Sequence, residues 1–326
     1  IGISLIILLV LTALPAGLAG MGFAGILTTV LPYAAFAVFV VGFIRRILSW
    51  AGSPVPFRIA TTCGQAKSLP WIKATPAESP SSNRGVIARM ALEIFLFRSL
   101  FRNTKAELSD GRPVYGSTKW LWFFGLLFHW SLLLIVLRHL RFFMEPIVPC
   151  ISAIAAVDGF FEIGTPTLYL TDAAVLLAIL FLTLRRIIIP RWRYLSLPAD
   201  YFALFLILGI AITGLWMRHI DPVDLNQIKS MAVGWATFRP VLPHGIGTAF
   251  LIHLFLVCTL LAWFPFSKLM HLGGIFLSPT RNLANDSRMR RHVNPWNGPV
   301  KVHTYEEYED EFRDKMKAAG LPLEKE

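Results

Sequence analysis

Six stretches of this chain stay apolar for about as long as a helix must run to cross a lipid bilayer, and no other feature narrows the possible folds as far. A hydrocarbon core of about 30 Å takes roughly 20 helical residues. Residues 3–22 and 29–48 form the first two stretches, 119–140 the third, 169–187 the fourth, 200–217 the fifth and 247–270 the sixth. Pro15 and Pro32 lie within the first two and predict a kink or an early end there. With 55% hydrophobic and only 16% charged residues, the chain lacks the charge to clothe a water-facing globule, so much of its surface must face lipid. The expected fold class is all-α integral membrane, a six-transmembrane-helix bundle. The first residue is Ile, and the opening run from Ile1 to Leu14 lacks the basic flank of a signal peptide.

The net charge of +11 gives the topology. The connection from Arg45 to Lys119 carries twelve Lys or Arg against Glu78, Glu93, Glu107 and Asp110, and basic connections stay on the cytoplasmic side. The connection from Phe142 to Leu168 holds Glu145, Asp158 and Glu162 without a Lys or Arg and belongs outside. Arg185, Arg186, Arg191 and Arg193 mark the next inside loop. This predicts a multi-pass protein of a prokaryotic cytoplasmic (inner) membrane with both termini cytoplasmic. The positive charge lies mostly in the connections, so it serves topology and contact with membrane lipid, and argues against nucleic acid as a partner. Within the long connection, Val86 to Leu108 spaces Arg89, Arg98, Arg102 and Lys105 as a helix lying in the inner interface would. The tail reads as a short charged helix over Thr304 to Gly320.

Ionisable groups inside a span are expensive, which makes four histidines notable. His129 and His139 lie on the third span, and His253 and His271 on the sixth. One such histidine could simply bridge helices by a hydrogen bond. Four on two antiparallel spans point to metal, because neutral imidazoles from facing helices complete the six-coordination of a haem iron and leave no open position for a substrate. Ten residues of helix separate His129 from His139 by roughly 15 Å, and eighteen separate His253 from His271 by roughly 27 Å. Two haems can then stack across the membrane, with His139 facing His253 on the outer side and His129 facing His271 on the inner side. Eighteen residues are five whole turns, which places His253 and His271 on one face of a continuous helix. Arg138 and Arg141 flank His139 and are candidates for haem propionates or quinone, while His219 and His244 lie in the following outer connection. Cys63, Cys150 and Cys258 have no metal-binding spacing. Cys63, in the long connection, could touch a partner. A transporter with a histidine proton relay is the reading from a different class. It would more often show acids in its spans or inverted repeats.

The histidine spacings, together with the segment PFSKLMH (Pro265 to His271), resemble the nitrate reductase gamma subunit family of dihaem cytochromes b over roughly residues 29–275. TTCGQAKSLPWIK (Thr61 to Lys73), GGIFLSPTRN (Gly273 to Asn282) and KVHTYEEYEDEFRDKMKAAGLP (Lys301 to Pro322) look like the DsrM family, the membrane cytochromes b of Dsr complexes in dissimilatory sulfur metabolism. This implies a five-helix dihaem domain over 29–275 with a cytoplasmic connection over 45–118, one additional N-terminal helix over 1–28, and a cytoplasmic tail over 276–326. It implies two haem b groups, ligated by His129 with His271 and by His139 with His253. It further implies an electron-transfer subunit that exchanges electrons between menaquinone and a cytoplasmic iron-sulfur subunit, DsrK, acting on DsrC in sulfite reduction, with DsrJ, DsrO and DsrP as neighbours. The docking surface would then be Cys63 to Lys105 with Asn282 to Glu326. The dihaem anchor of another quinone-linked oxidoreductase is the nearest alternative. The added first span, Arg138 and the long tail depart from the nitrate reductase pattern, which puts the quinone-site residues in doubt and leaves the histidines untouched.

Overall fold

In the computed structural model, residues 1–54, 64–159, 166–242, 245–290, 299 and 302–325 are described. Cys63 and His244 fall outside them. Each apolar stretch is a helix: α1 (Gly2–Gly20), α2 (Ala24–Ala51), α5 (Lys119–His139), α7 (Leu170–Ile188), α9 (Pro198–His219) and α11 (Thr248–Trp263). Among the described residues, five are long and apolar enough to span a membrane, α5 and α11 being extended by 3-10 turns to Phe143 and Phe266. The other, α7, is as long as α1 but carries Asp172 in its first turn and Arg185 and Arg186 in its last. Side chains such as Ile3, Ile6, Leu9, Val41, Val136, Leu177 and Ile212 point outward, the inside-out pattern of a bundle immersed in lipid. The chain is a helical membrane bundle.

The two prolines neither end their helices nor split them. Pro15 is buried in a continuous α1 and Pro32 sits inside a continuous α2. The turn between these helices is only Met21–Phe23, with Gly22 at φ +84°, a left-handed geometry that glycine adopts without strain. α2 therefore starts five residues before the apolar stretch suggests. Thr28 and Thr29 return their hydroxyls to the carbonyls of Ala24 and Gly25, which hides polar groups from lipid.

Packing runs α5 to α7, α7 to α9, α9 to α11 and α11 to α2, and α1 lies against both α9 and α11. One apolar core joins Leu27 and Ala35 of α2 to Phe250, Leu251, Leu254 and Cys258 of α11. It also takes Ile228 and Met231 of α10 (Leu225–Ala236). A second joins Phe128 of α5 to Val175, Ala178 and Ile179 of α7 and Ile207 of α9. The two histidine-bearing helices, α5 and α11, do not pack extensively on each other. The additional first helix is built into the bundle: Ser4 donates to the Pro198 carbonyl at 2.8 Å, and a Cβ at Gly209 would meet Leu8 at 3.3 Å.

The long connection corrects the sequence reading. No single helix covers Val86 to Leu108. α3 (Asn83–Leu96) ends at Phe97, whose φ of +49° breaks the helix. α4 (Arg98–Arg102) follows, and then an antiparallel hairpin of β1 (Thr104–Ser109) and β2 (Arg112–Ser117). Its two-residue turn, Asp110–Gly111, has both residues at positive φ, as a tight hairpin needs. These arginines meet protein acceptors, although Arg102 stays half exposed. Arg98 and Arg102 both reach Glu78, at 2.7 and 2.8 Å, and Arg89 is buried and donates to the Thr280 carbonyl.

The remaining helices are α6 (Pro149–Asp158), α8 (Pro190–Leu195), α12 (His271–Gly274) and α13 (Tyr305–Ala318). α13 matches the expected tail helix within two residues and opens with a capping box in which Thr304 and Glu307 satisfy each other's backbone amides. Its buried Glu309 accepts the amides of Glu324 and Lys325, so the end of the chain folds back on the helix. These amide donors, with Arg313 nearby, hold the Glu309 carboxyl below the usual carboxylate range.

Candidate functional site

The structure brings His129 and His271 together, with ring centroids 5.8 Å apart and planes at 78°. The route to His271 differs from the one expected. α11 stops at Trp263, and 3-10 turns over Phe264–Phe266 and Lys268–Met270 lead to α12, which begins at His271. His253 and His271 therefore share no helix face, and the five-turn argument fails. Pro265 explains the break: it has no amide to donate, and its ring obstructs the preceding turn. α12 is seated on α2 instead. A Cβ at Gly273 would come within 2.7 Å of Ile47, and one at Gly274 within 3.4 Å of Trp50, so two residues without side chains let this turn lie directly on the end of α2.

At the opposite end of the bundle, His139 closes α5 and His253 lies in the second turn of α11. All four imidazoles have Nδ1 engaged. His129 meets the Gly125 carbonyl at 2.7 Å, His139 the Ile135 carbonyl at 2.7 Å and His271 the Lys268 carbonyl at 2.9 Å. A carbonyl only accepts, so Nδ1 carries the proton in each, which in a neutral imidazole leaves the lone pair on Nε2. His253 reaches the same state through Thr213, whose hydroxyl lies 2.9 Å from Nδ1 and donates to the Gly209 or Ile210 carbonyl. The ring packs against Gly214, where a Cβ would make ordinary contact with it at 3.5 Å.

These are pairs of imidazoles. Among the described residues no three His, Cys, Asp or Glu converge as a metal cage would require. Two imidazoles without a third ligating side chain suit a metal that brings its own equatorial donors. The limited contact between α5 and α11 suits a flat group placed between them.

Arg138 requires a correction. Its guanidinium is buried and faces Asp158 at 3.0 Å and Asp172 at 2.8 Å, donates to Thr171, and lies 3.7 Å over the Tyr169 ring. Asp158 also accepts from the backbone amide and hydroxyl of Thr171. A cation spent on two carboxylates neither snorkels to headgroups nor is available to a propionate or a quinone. Arg141 differs: it lies over Phe142 and beside Tyr169, near His139. Arg218 completes this end, donating to the Thr167 carbonyl and covering the other approach to Tyr169 at 4.3 Å. His219 is the last residue of α9, beside Arg218.

Sequence reading took Asp158 only as an acid of the outer connection and missed Asp172 and Tyr169; Asp158 ends α6 and Asp172 lies in the first turn of α7. It also missed Thr213, whose only signal is a hydroxyl within a span. Beside His271 lies a cleft of about 740 Å³ that sequence reasoning did not reach. Phe97, Met270, Glu93, Arg46, Lys268 and Arg281 are among its walls. The segment 278–286 closes it: Arg281 meets Glu93 at 3.0 Å and the Ser99 hydroxyl at 3.2 Å, and Asn285 bonds Ser79 and the Pro80 carbonyl. Ser99 in turn donates to Glu93.

Two curated relatives carry the description Hdr-like menaquinol oxidoreductase cytochrome b-like subunit. The one from Archaeoglobus fulgidus is 46% identical over 276 residues, covering 82% of each chain. The one from Archaeoglobus profundus is 42% identical over 273 residues, covering 82% of this chain and 81% of its own. The family described as nitrate reductase gamma subunit matches residues 90–291, a segment that holds all four histidines. The chain belongs to the nitrate reductase gamma subunit family.

Proposed function

We propose that this chain is a quinone-linked membrane cytochrome b that passes electrons between menaquinone and a cytoplasmic redox partner, using two b haems. His129 and His271 hold the inner haem, and His139 and His253 the outer one. The observation that carries this reading is that all four imidazoles have Nδ1 occupied and Nε2 open, grouped at two separate ends of one bundle. A haem b held by two histidines supplies one-electron transfer with no vacant position for substrate. The residues around it do the rest. The Gly125, Ile135 and Lys268 carbonyls and the Thr213 hydroxyl fix each ring's tautomer and heading. The apolar cores on either side exclude water. Arg141 is the residue left to meet a propionate or a quinone head group at the outer end.

The decisive measurement is a reduced-minus-oxidised spectrum with pyridine haemochrome quantitation of the purified chain. About two b haems per chain are expected, and their absence would end this reading in favour of a histidine-relay transporter. A finer result is expected at Thr213. Thr213→Val removes the acceptor for His253, and loss of such a hydrogen bond costs about 10–100-fold in metal affinity. The outer haem should therefore be lost on dilution or under mild detergent, whereas Thr213→Ser should retain it. Equal retention in both variants would assign the ring's orientation to packing alone.

Within this reading, we place the chain in dissimilatory sulfur metabolism as a DsrM-like subunit in the cytoplasmic membrane with both termini inside. A DsrK-like iron-sulfur subunit takes or gives the electron, DsrC lies beyond it, and DsrJ, DsrO and DsrP are neighbours. The supporting features are the tail and connection motifs and the basic connection over 45–118. The Archaeoglobus relatives' description, an Hdr-like menaquinol oxidoreductase subunit, supports the quinone link and a multi-subunit setting.

A further inference from the structure

The cleft beside His271 lies between the end of α2, the Phe97 break, α12 and segment 278–286. At about 740 Å³ it falls within the roughly 300–1,000 Å³ of ligand sites. Its walls touch both imidazoles of the inner pair. His271 lines it directly, and Phe97, also in the wall, packs edge-on against His129 with centroids 4.9 Å apart.

The charges around it do not balance. Lys268 is matched by Asp200 at 2.8 Å, and Arg281 by Glu93 at 3.0 Å. Arg46 has no ion pair among the described residues. Its guanidinium lies 5.2 Å over the face of Trp50, which is also part of the wall. An apolar cleft with imidazole at one side and one unmatched guanidinium at the rim fits a flat apolar ligand bearing a carboxylate. A guanidinium fork meets a carboxylate through two parallel hydrogen bonds, which a lysine cannot do.

We propose that Arg46 anchors a propionate of the inner haem. This rests on the haem reading above and extends it to α2, which lies outside the residues matched by the family. The same seating of Gly273 and Gly274 on α2 that fixes His271 brings Arg46 to the cleft. Arg46 is therefore a positioning residue that also sets the local potential. A positive charge beside the ring favours the form carrying the extra electron, so its removal must lower that haem's midpoint potential.

An anionic lipid headgroup offers the same chemistry to an exposed arginine, and the experiment separates the two. Wild type, Arg46→Gln and Arg46→Lys are purified as full chains into nanodiscs of zwitterionic lipid and, separately, of anionic lipid. Haem is counted, and both midpoints are followed by spectroelectrochemical titration. The haem missing from His271→Ala identifies the inner signal. The expected result is a downward shift of the inner midpoint in Arg46→Gln in both lipids, an unmoved outer midpoint, and recovery of most of the shift in Arg46→Lys. A shift confined to anionic discs would make Arg46 a headgroup contact and overturn the proposal. Unmoved midpoints in a chain that holds two haems would also overturn it. A wild-type chain without haem would instead remove the reading on which it stands.

Discussion

Alanine at His139 and alanine at His253 are each expected to abolish one haem, and the same one, while alanine at His129 or His271 abolishes the other. Each variant should fall from about two b haems to about one, and the residual spectrum and midpoint should sort the four variants into two matching pairs. The physical reason is that a six-coordinate site losing one imidazole gains a vacancy and loses one of only two protein bonds to the iron. The pairing rests on the His129 and His271 rings lying 5.8 Å apart, which leaves His139 and His253 as the other couple. Joint loss of a single haem from His129→Ala and His253→Ala, with the other intact, would overturn the pairing. Unchanged haem content in all four variants would overturn the ligand set.

The second large effect concerns Arg138. Removing one partner from a buried ion cluster leaves charge without compensation and costs about 3–5 kcal/mol. Arg138→Ala strands Asp158 and Asp172 between α5, α6 and α7, so stability against denaturant in mixed micelles should fall by about that amount. Neutralising both carboxylates in the same chain, with Asp158→Asn and Asp172→Asn, should recover part of the loss, because the stranded charge is then gone. Menaquinol-analogue oxidation per folded, haem-loaded chain should stay close to wild type. A stable Arg138→Ala variant with slowed haem reduction would return this residue to the quinone site and displace Arg141 as the candidate there.

Hydropathy alone located the spans because lipid enforces a simple rule: every backbone amide must be satisfied within the segment, so a long apolar run can only be a helix. The rule is silent on how spans end. α2 starts at Ala24 and not at 29 because Gly22 permits a three-residue turn, and α11 stops at Trp263 because of Pro265. Both signals were in the sequence, but an apolar count overrides them. The connection from Val86 to Leu108 failed for a related reason. Its arginines have helical spacing, yet Asp110–Gly111 is a hairpin signal and Phe97 takes a left-handed conformation that its residue type does not announce. Charge was the hardest feature to read. Arg138 beside His139 looks like a group reaching for an anion, and nothing local tells that the anions are Asp158 and Asp172, 20 and 34 residues away. The histidines stood out because imidazoles in lipid are rare enough to be conspicuous, and the His129 and His271 rings meet although the assumed continuous helix did not form.

The break after Trp263 also gives His253 and His271 different immediate supports. His253 rides on α11, which packs on α9, α2 and the first helix. His271 is anchored to the end of α2 and, through segment 278–286, to the connection over 78–99. Because α11 also packs on α2, the two supports meet in the core that joins these helices, and His271 has in addition a tether to the basic connection through Arg281 and Asn285.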